Sequence, residues 1–344
     1  MDILLSHLVE ITGHRDHTLL DVSVLSALHQ LVGADEVRTY ETFRFRDELF
    51  LRQRAMIKSG KVISIEENAQ IDQIGEPIKN YPSLVACIEK RTVYQEEIAD
   101  GRHILWFPVW ISDKVGSCLR ISHPKAFSLQ EMDTIEGVFS VYRNYQSLLD
   151  YSERDSLTGL LNRKTFDENF SRMVATAPAP DDESLTRVNR RHQSDVKEQW
   201  LAVVDIDHFK RVNDQFGHLY GDEVLILIAN ILRSSFRAQD RIFRFGGEEF
   251  VILLRSVTLE GARMIFERFR MQVEQHLFPQ VGKVTISLGF TSISSDTPVV
   301  ILGHADQALY YAKTSGRNRI CYYDELVESG LLHSEVSNDS VEFF

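Results

Sequence analysis

The chain has 344 residues, a formal net charge of −12 and 43% hydrophobic residues. The length predicts two domains and the composition a globular protein, and the acidic balance speaks against nonspecific binding to nucleic acid or to an anionic membrane. No apolar run is long enough to span a bilayer and no basic segment precedes an apolar core at the N-terminus; with three scattered cysteines, Cys87, Cys118 and Cys321, lacking metal spacing, the expectation is a cytoplasmic protein.

Residues 1–128 read as a first domain. Apolar residues recur at helical spacing over 19–32, and Gly33 stops the run. Segments 37–45, 49–57, 103–110 and 114–122 have strand character. A helix, antiparallel strands and a closing helix predict an α+β sensor. Trp106, Phe107 and Trp110 read as core before pocket lining, and nothing around Cys87 supports a covalent chromophore. Residues 131–151 read as one helix, with Ile135, Phe139, Tyr142, Tyr145 and Leu149 at three- and four-residue spacing, the period of a coiled-coil seam. Two readings stand: a dimerising stalk over 129–152, or a helix closing its own domain. Burial of Ile135 and Leu149 inside their own chain counts against the stalk.

The second half carries the chemistry. Residues 176–199 are polar and hold Pro178, Pro180, Arg187, Arg190 and Arg191, so they read as a surface insertion. Trp200 to Val204 is a continuous apolar run, expected of a strand buried on both faces, and it ends at Asp205-Ile206-Asp207. Ligands sit beyond the carboxyl ends of strands in α/β sheets, where these acids fall, although helix capping also explains them. Two β-favouring runs, 242–245 and 250–254, flank Gly246-Gly247 and predict a hairpin turning on the two glycines, with Glu248 and Glu249 just after the turn. Adjacent carboxylates repel, and a hard cation relieves that. Lys313 and Arg317 stand one helical turn apart near a helix end, with Gly316 as the stop. Residues 325–344 hold five acids and neither Lys nor Arg, and read as a disordered tail.

These motifs resemble a GGDEF domain over residues 153–324. The resemblance rests on Asp155-Ser156-Leu157-Thr158-Gly159-Leu160-Leu161-Asn162-Arg163, on Asp205-Ile206-Asp207-His208-Phe209-Lys210 with Asn213-Asp214, Gly217-His218 and Gly221-Asp222, and on Gly246-Gly247-Glu248-Glu249-Phe250 in the GGEEF form. Val284 to Gly289 and Ala308 to Asn318 complete the set. The resemblance implies a diguanylate cyclase that condenses two GTP into cyclic di-GMP, and a mixed, largely antiparallel sheet flanked by helices. It implies Asp205, the carbonyl of Ile206, Glu248 and Glu249 around Mg²⁺, with Mn²⁺ as a substitute. Glu248 or Glu249 deprotonates the attacking hydroxyl, and Lys210 steadies the phosphates. Asn213 and Asp222 read guanine, with Phe209, His218, Gly246 and Gly247 lining the site. Lys313 and Arg317 grip the outer phosphates. Arg237-Ala238-Gln239-Asp240 resembles the family's inhibitory RxxD site for the product, and Arg268 or Arg270 is the candidate secondary arginine. A catalytically silent GTP or cyclic di-GMP receptor is the alternative. Residues 105–109 and 116–121 resemble a GAF domain, with a PAS-like fold as its rival; a homodimer through the 131–151 helix and the sensor domain, and an unknown small-molecule or protein signal at the sensor, are the expected partners.

Overall fold

The computed structural model describes all residues except 1–2, 15, 46–47, 65–74, 112, 176–196, 238, 295 and 333–344. The chain divides into two units, Met1–Ser152 and Glu153–Phe344. The expected 176–199 insertion lies almost wholly outside the described residues.

In the N-terminal unit, α1 (Ile3–Gly13) and α2 (His17–Val32) precede β1 (Glu36–Phe45), β2 (Glu48–Lys58), β3 (Lys61–Ser64) and β4 (Glu76–Pro77). Then come α3 (Pro82–Lys90), β5 (Gln95–Ala99), β6 (Arg102–Ile111), β7 (Lys114–His123) and α4 (Leu129–Glu153). Asp16 caps α2 by accepting from the backbone of Thr18 and Leu19, and Gly33 ends it with φ +63°. The sheet runs β3-β2-β1-β7-β6-β5 with β4 beside β2, and its pairings are antiparallel. This is the α+β arrangement expected, and Trp106 and Phe107 are core residues.

Helix α4 corrects one expectation. Ile135, Phe139, Tyr142 and Leu149 pack in one cluster with Leu20, Val24 and Leu28 of α2 and Leu105, Phe107, Leu119 and Ile121 of the sheet. Ile135 is 0% and Leu149 6% exposed. The three-four spacing therefore records a closing helix whose apolar stripe is used within its own unit, not a free seam for a partner helix. Across this core runs a closed polar network. Asp21 accepts from Tyr142 Oη at 2.6 Å, Thr39 Oγ1 at 3.0 Å and Gln146 Nε2 at 3.4 Å, and pairs with Arg54 Nε at 3.4 Å. Ser117 Oγ donates to Gln146 Oε1 at 2.7 Å.

The C-terminal unit comprises β8 (Leu161–Asn162), α5 (Arg163–Ala175), β9 (Glu198–Ile206), α6 (Phe209–Phe216), α7 (His218–Ser235), β10 (Arg241–Gly246) and β11 (Glu249–Val257). It continues with α8 (Leu259–Gln275), β12 (Leu277–Phe278), β13 (Gly282–Lys283), β14 (Ile286–Ser292), α9 (Pro298–Thr314), β15 (Ile320–Tyr322) and α10 (Tyr323–Glu328). The main sheet is ordered β15-β14-β9-β11-β10-β8. Its inner pairs are antiparallel, and its edge pairs, β14 with β15 and β10 with β8, are parallel. The mixed, largely antiparallel sheet flanked by helices is as expected. The tail is not wholly so: residues 323–328 are helical, and Leu326 is buried against Ala308, Ala312 and Cys321.

The period of two sorts this sheet into two cores. Trp200, Ala202, Val204 and Ile206 of β9 face one core with Phe250, Ile252 and Leu254 of β11 and residues of α7 and α8. Leu201 and Val203, with Val251 and Leu253, face the other, which α5 and α9 cover. Continuing the alternation puts Asp205 and Glu249 on the α9 side. Gly289 of β14 lets α9 lie flat on that face, because a Cβ there would stand 2.1 Å from the Ala305 carbonyl oxygen and 2.2 Å from the Leu309 nitrogen.

Candidate active site

Glu249 and Asp205 are direct cross-strand partners on β11 and β9. Like charges placed opposite each other destabilise a sheet, so this pairing needs a cation. Lys313, in the last turn of α9, supplies one: its Nζ stands 2.8 Å from Asp205 Oδ2. It does not neutralise the cluster. Burial pushes the Asp205 carboxyl up, and the opposing pull of Lys313 and Arg317 does not outweigh it. Burial, and then the neighbouring Asp205 and Glu249, push Glu248 up to about 7. Glu249 is raised by burial, by Asp205 and by Asp306 of α9. Asp306 is a member of this acidic group that its place in the sequence did not single out.

The hairpin turns one residue later than expected. Gly246 pairs with Glu249 after a bulge between Arg244 and Gly246, so the loop is Gly247-Glu248 and Glu248 lies in the turn. Gly246 has φ +151° and Gly247 φ +50°, conformations that glycine takes without a Cβ clash. Arg244 braces the loop: Nη2 donates to the Gly247 carbonyl at 2.8 Å and Nη1 to Asp155 Oδ1 at 2.9 Å. Asp155 also takes the Thr158 amide and hydroxyl, so the entry motif anchors the hairpin.

Asp207 neither caps α6 nor joins the acidic pair. It accepts from Thr285 Oγ1 and Ser287 Oγ, both at 2.7 Å, and from the Asn318 amide at 3.0 Å. Lys210 is exposed in the first turn of α6. Phe209, expected to line the site, packs its side chain in the core beneath the α6–α7 corner. At that corner a Cβ on Gly221 would meet Asn213 Oδ1 at 2.0 Å, so glycine lets the amide lie against α7. Helix α7 begins at His218, ahead of Asp222; Asp222 is therefore inside the helix, exposed, and not its cap. Helix α9 stops at Thr314, and Arg317 lies beyond it at φ +61°, not one turn along the helix.

Arg237 and Asp240 stand in the turn between α7 and β10, not on a helix. The buried Asp240 carboxylate accepts the Arg237 amide at 2.9 Å and the Arg255 amide at 3.4 Å. Arg237 itself is exposed. Arg268 Nη2 donates to the Ser235 carbonyl at 2.8 Å, just before this turn, whereas Arg270 is directed to Glu267, Glu274 and Asn318.

The side-chain donors facing the α9 side are carboxylate oxygens, the set that suits a hard divalent cation. Among the described residues no three His, Cys, Asp or Glu side chains form a ready metal cluster. The pair therefore fits a cation that brings phosphate oxygens and water with it, not one held in an all-protein cage.

Residues 152–319 match the family model described as diguanylate cyclase, GGDEF domain. The diguanylate cyclase DgcP of Pseudomonas aeruginosa is 44% identical over 170 residues, 48% of this chain and 23% of that protein. The response regulator PleD of Caulobacter vibrioides is 36% identical over 184 residues, 52% of this chain and 37% of that protein. The coiled coil and GGDEF domain of DgcB from Caulobacter crescentus, solved with cyclic di-GMP, is 26% identical with a TM-score of 0.48, covering 56% of this chain and 97% of that one. This chain thus spans well under two thirds of these curated relatives. No helix among the described residues is long and apolar enough to cross a membrane. The C-terminal unit carries a GGDEF domain.

Proposed function

We propose that the protein is a diguanylate cyclase that condenses two GTP into cyclic di-GMP with release of two pyrophosphates. The observation that carries this reading is the Asp205–Glu249 cross-strand pair, pressed together on a buried face with Glu248 raised to about 7 beside it. A fold keeps opposed carboxylates where their charge is used.

Asp205, Glu248, Glu249 and the Ile206 carbonyl would hold a divalent metal, Mg²⁺ or Mn²⁺. When bound, the metal neutralises phosphate charge and acidifies the attacking hydroxyl. Glu248 or Glu249 accepts the 3′-hydroxyl proton; a carboxyl poised near 7 suits that transfer at neutral pH. Lys210 and Arg317 meet the phosphates as exposed cations, and Lys313 exchanges its Asp205 contact for a phosphate oxygen. Asn213 and Asp222 take the guanine edge, where a carboxylate accepts the N1–H and amine that adenine does not present together. Each C-terminal unit holds one GTP, so the C-terminal units of two copies meet face to face. The stripe of α4 is consumed in its own unit, and the dimer uses other surfaces. The N-terminal unit, a GAF-like sensor, sets that encounter. Arg237 binds product phosphate for feedback inhibition, while Asp240 first of all fixes the turn that presents it.

The test is cyclic di-GMP formation from GTP and Mg²⁺, followed by chromatography, for the intact chain and for Glu249→Ala. Product from the first and none from the second supports the reading. GTP binding without product, in a sample shown to be dimeric, identifies the silent receptor instead.

A further inference from the structure

Three successive residues after α9 have positive φ: Gly316 at +118°, Arg317 at +61° and Asn318 at +48°. Glycine adopts this freely and asparagine tolerates it, but arginine takes it only under strain. Some restraint holds Arg317 there, and the hydrogen bonds identify it. The Arg317 amide returns to the Ala312 carbonyl at 2.9 Å, closing α9. The next residue is fixed from three directions. The Asn318 amide donates to Asp207 Oδ2 at 3.0 Å, Asn318 Nδ2 donates to Glu274 Oε1 at 2.8 Å, and Asn318 Oδ1 accepts from Arg270 Nη1 at 2.6 Å. Arg270 is itself immobilised on α8. It donates to both oxygens of Glu267 at 2.7–3.0 Å and to Glu274 Oε2 at 2.8 Å, with its side chain 11% exposed.

We infer that Arg270, Asn318 and Asp207 are positioning residues that lock the Arg317 backbone so that its guanidinium is presented to the outer phosphates of the nucleotide. Two residues of one strand end divide the work. Asp205 faces Glu249 across the sheet, and Asp207, two positions on, anchors the loop that carries Arg317. A guanidinium fork is needed at Arg270, because one side chain reaches Glu267, Glu274 and Asn318 together; a lysine ammonium does not reproduce that geometry. The inference rests on the proposed phosphate role of Arg317 and adds the means by which that role is set up.

The experiment is calorimetric binding of 3′-deoxy-GTP with Mg²⁺ to the full-length chain, with GMP as a probe that lacks the outer phosphates. The missing 3′-hydroxyl prevents reaction, so affinity is read without turnover. Arg270→Ala and Arg270→Lys, each checked for a wild-type melting transition, should weaken 3′-deoxy-GTP by about tenfold and leave GMP unchanged. Arg317→Ala should do the same, and the double variant Arg270→Ala/Arg317→Ala should bind no more weakly than Arg317→Ala alone, because one effect acts through the other. Wild-type affinity in both Arg270 variants alongside a loss in Arg317→Ala overturns the inference and spares the phosphate role. Equal weakening of GMP by Arg270→Lys, or additive losses in the double variant, also overturns it. Wild-type affinity in Arg317→Ala removes the phosphate role itself and the inference with it.

Discussion

Asp21 in the N-terminal unit and Asp205 in the C-terminal unit are both buried carboxylates, 0% and 5% exposed, in unlike surroundings. Each Asp21 oxygen has two donors directed at it: Tyr142 and Gln146 at one, Thr39 and Arg54 at the other. An acceptor-only group is thereby satisfied. Asp205 has one lysine and, opposite it in the sheet, another carboxylate. Buried polarity that is fully paired specifies a structure, and buried polarity left short of cations marks a place where something else binds.

This contrast can be broken or sharpened by substitution. The largest effect is expected on catalysis: Glu249→Ala should lower cyclic di-GMP formation at least about a thousandfold, or ~4 kcal/mol, with little change in melting temperature. Next comes Asp21→Asn, which turns an amide donor toward hydroxyl, amide and guanidinium donors. It should cost about 3 kcal/mol in denaturant unfolding of the N-terminal unit. Gly289→Ala drives a Cβ into the α9 backbone and should cost about 2 kcal/mol, and it should also slow turnover because Lys313 moves with its helix. The smallest effect is electrostatic, because solvent reaches the partly exposed Glu248 and screens its charge. Glu248 holds its proton more tightly in the folded protein, to about 7 against an ordinary 4.5. Its stabilising contribution is full below 4.5 and is lost as pH rises to about 7. Glu248→Gln should therefore flatten the decline of nucleotide-free melting temperature across that window, measured by differential scanning fluorimetry.

Much of this was legible in the sequence, and the gaps have a common cause. The β9 run, the flanking strands and the acidic pair follow from local pattern, because burial on both faces demands an unbroken apolar strand. The hairpin turn was displaced by one residue because the bulge at Phe245 is a property of the paired strands, not of Gly246-Gly247 alone. Asp207 read as either a ligand site or a cap, since its true partners, Thr285, Ser287 and Asn318, lie 78, 80 and 111 residues away. The α4 stripe looked like a coiled-coil seam because the same spacing serves any helix with one apolar face. Asp306 carried no local signal, and Arg270 read as a candidate for the product site, not as a partner of Asn318, 48 residues away; α9 and α8 bring the two residues in from distant parts of the chain.

The most direct test compares Asp21→Asn and Glu248→Gln in the same full-length chain, melted without nucleotide or metal at a pH above about 7. The account predicts opposite outcomes: a clearly lower melting temperature for Asp21→Asn, and an unchanged or higher one for Glu248→Gln. Losses of similar size in both would contradict it, because the Glu248 cluster would then be stabilising structure and not strained for function.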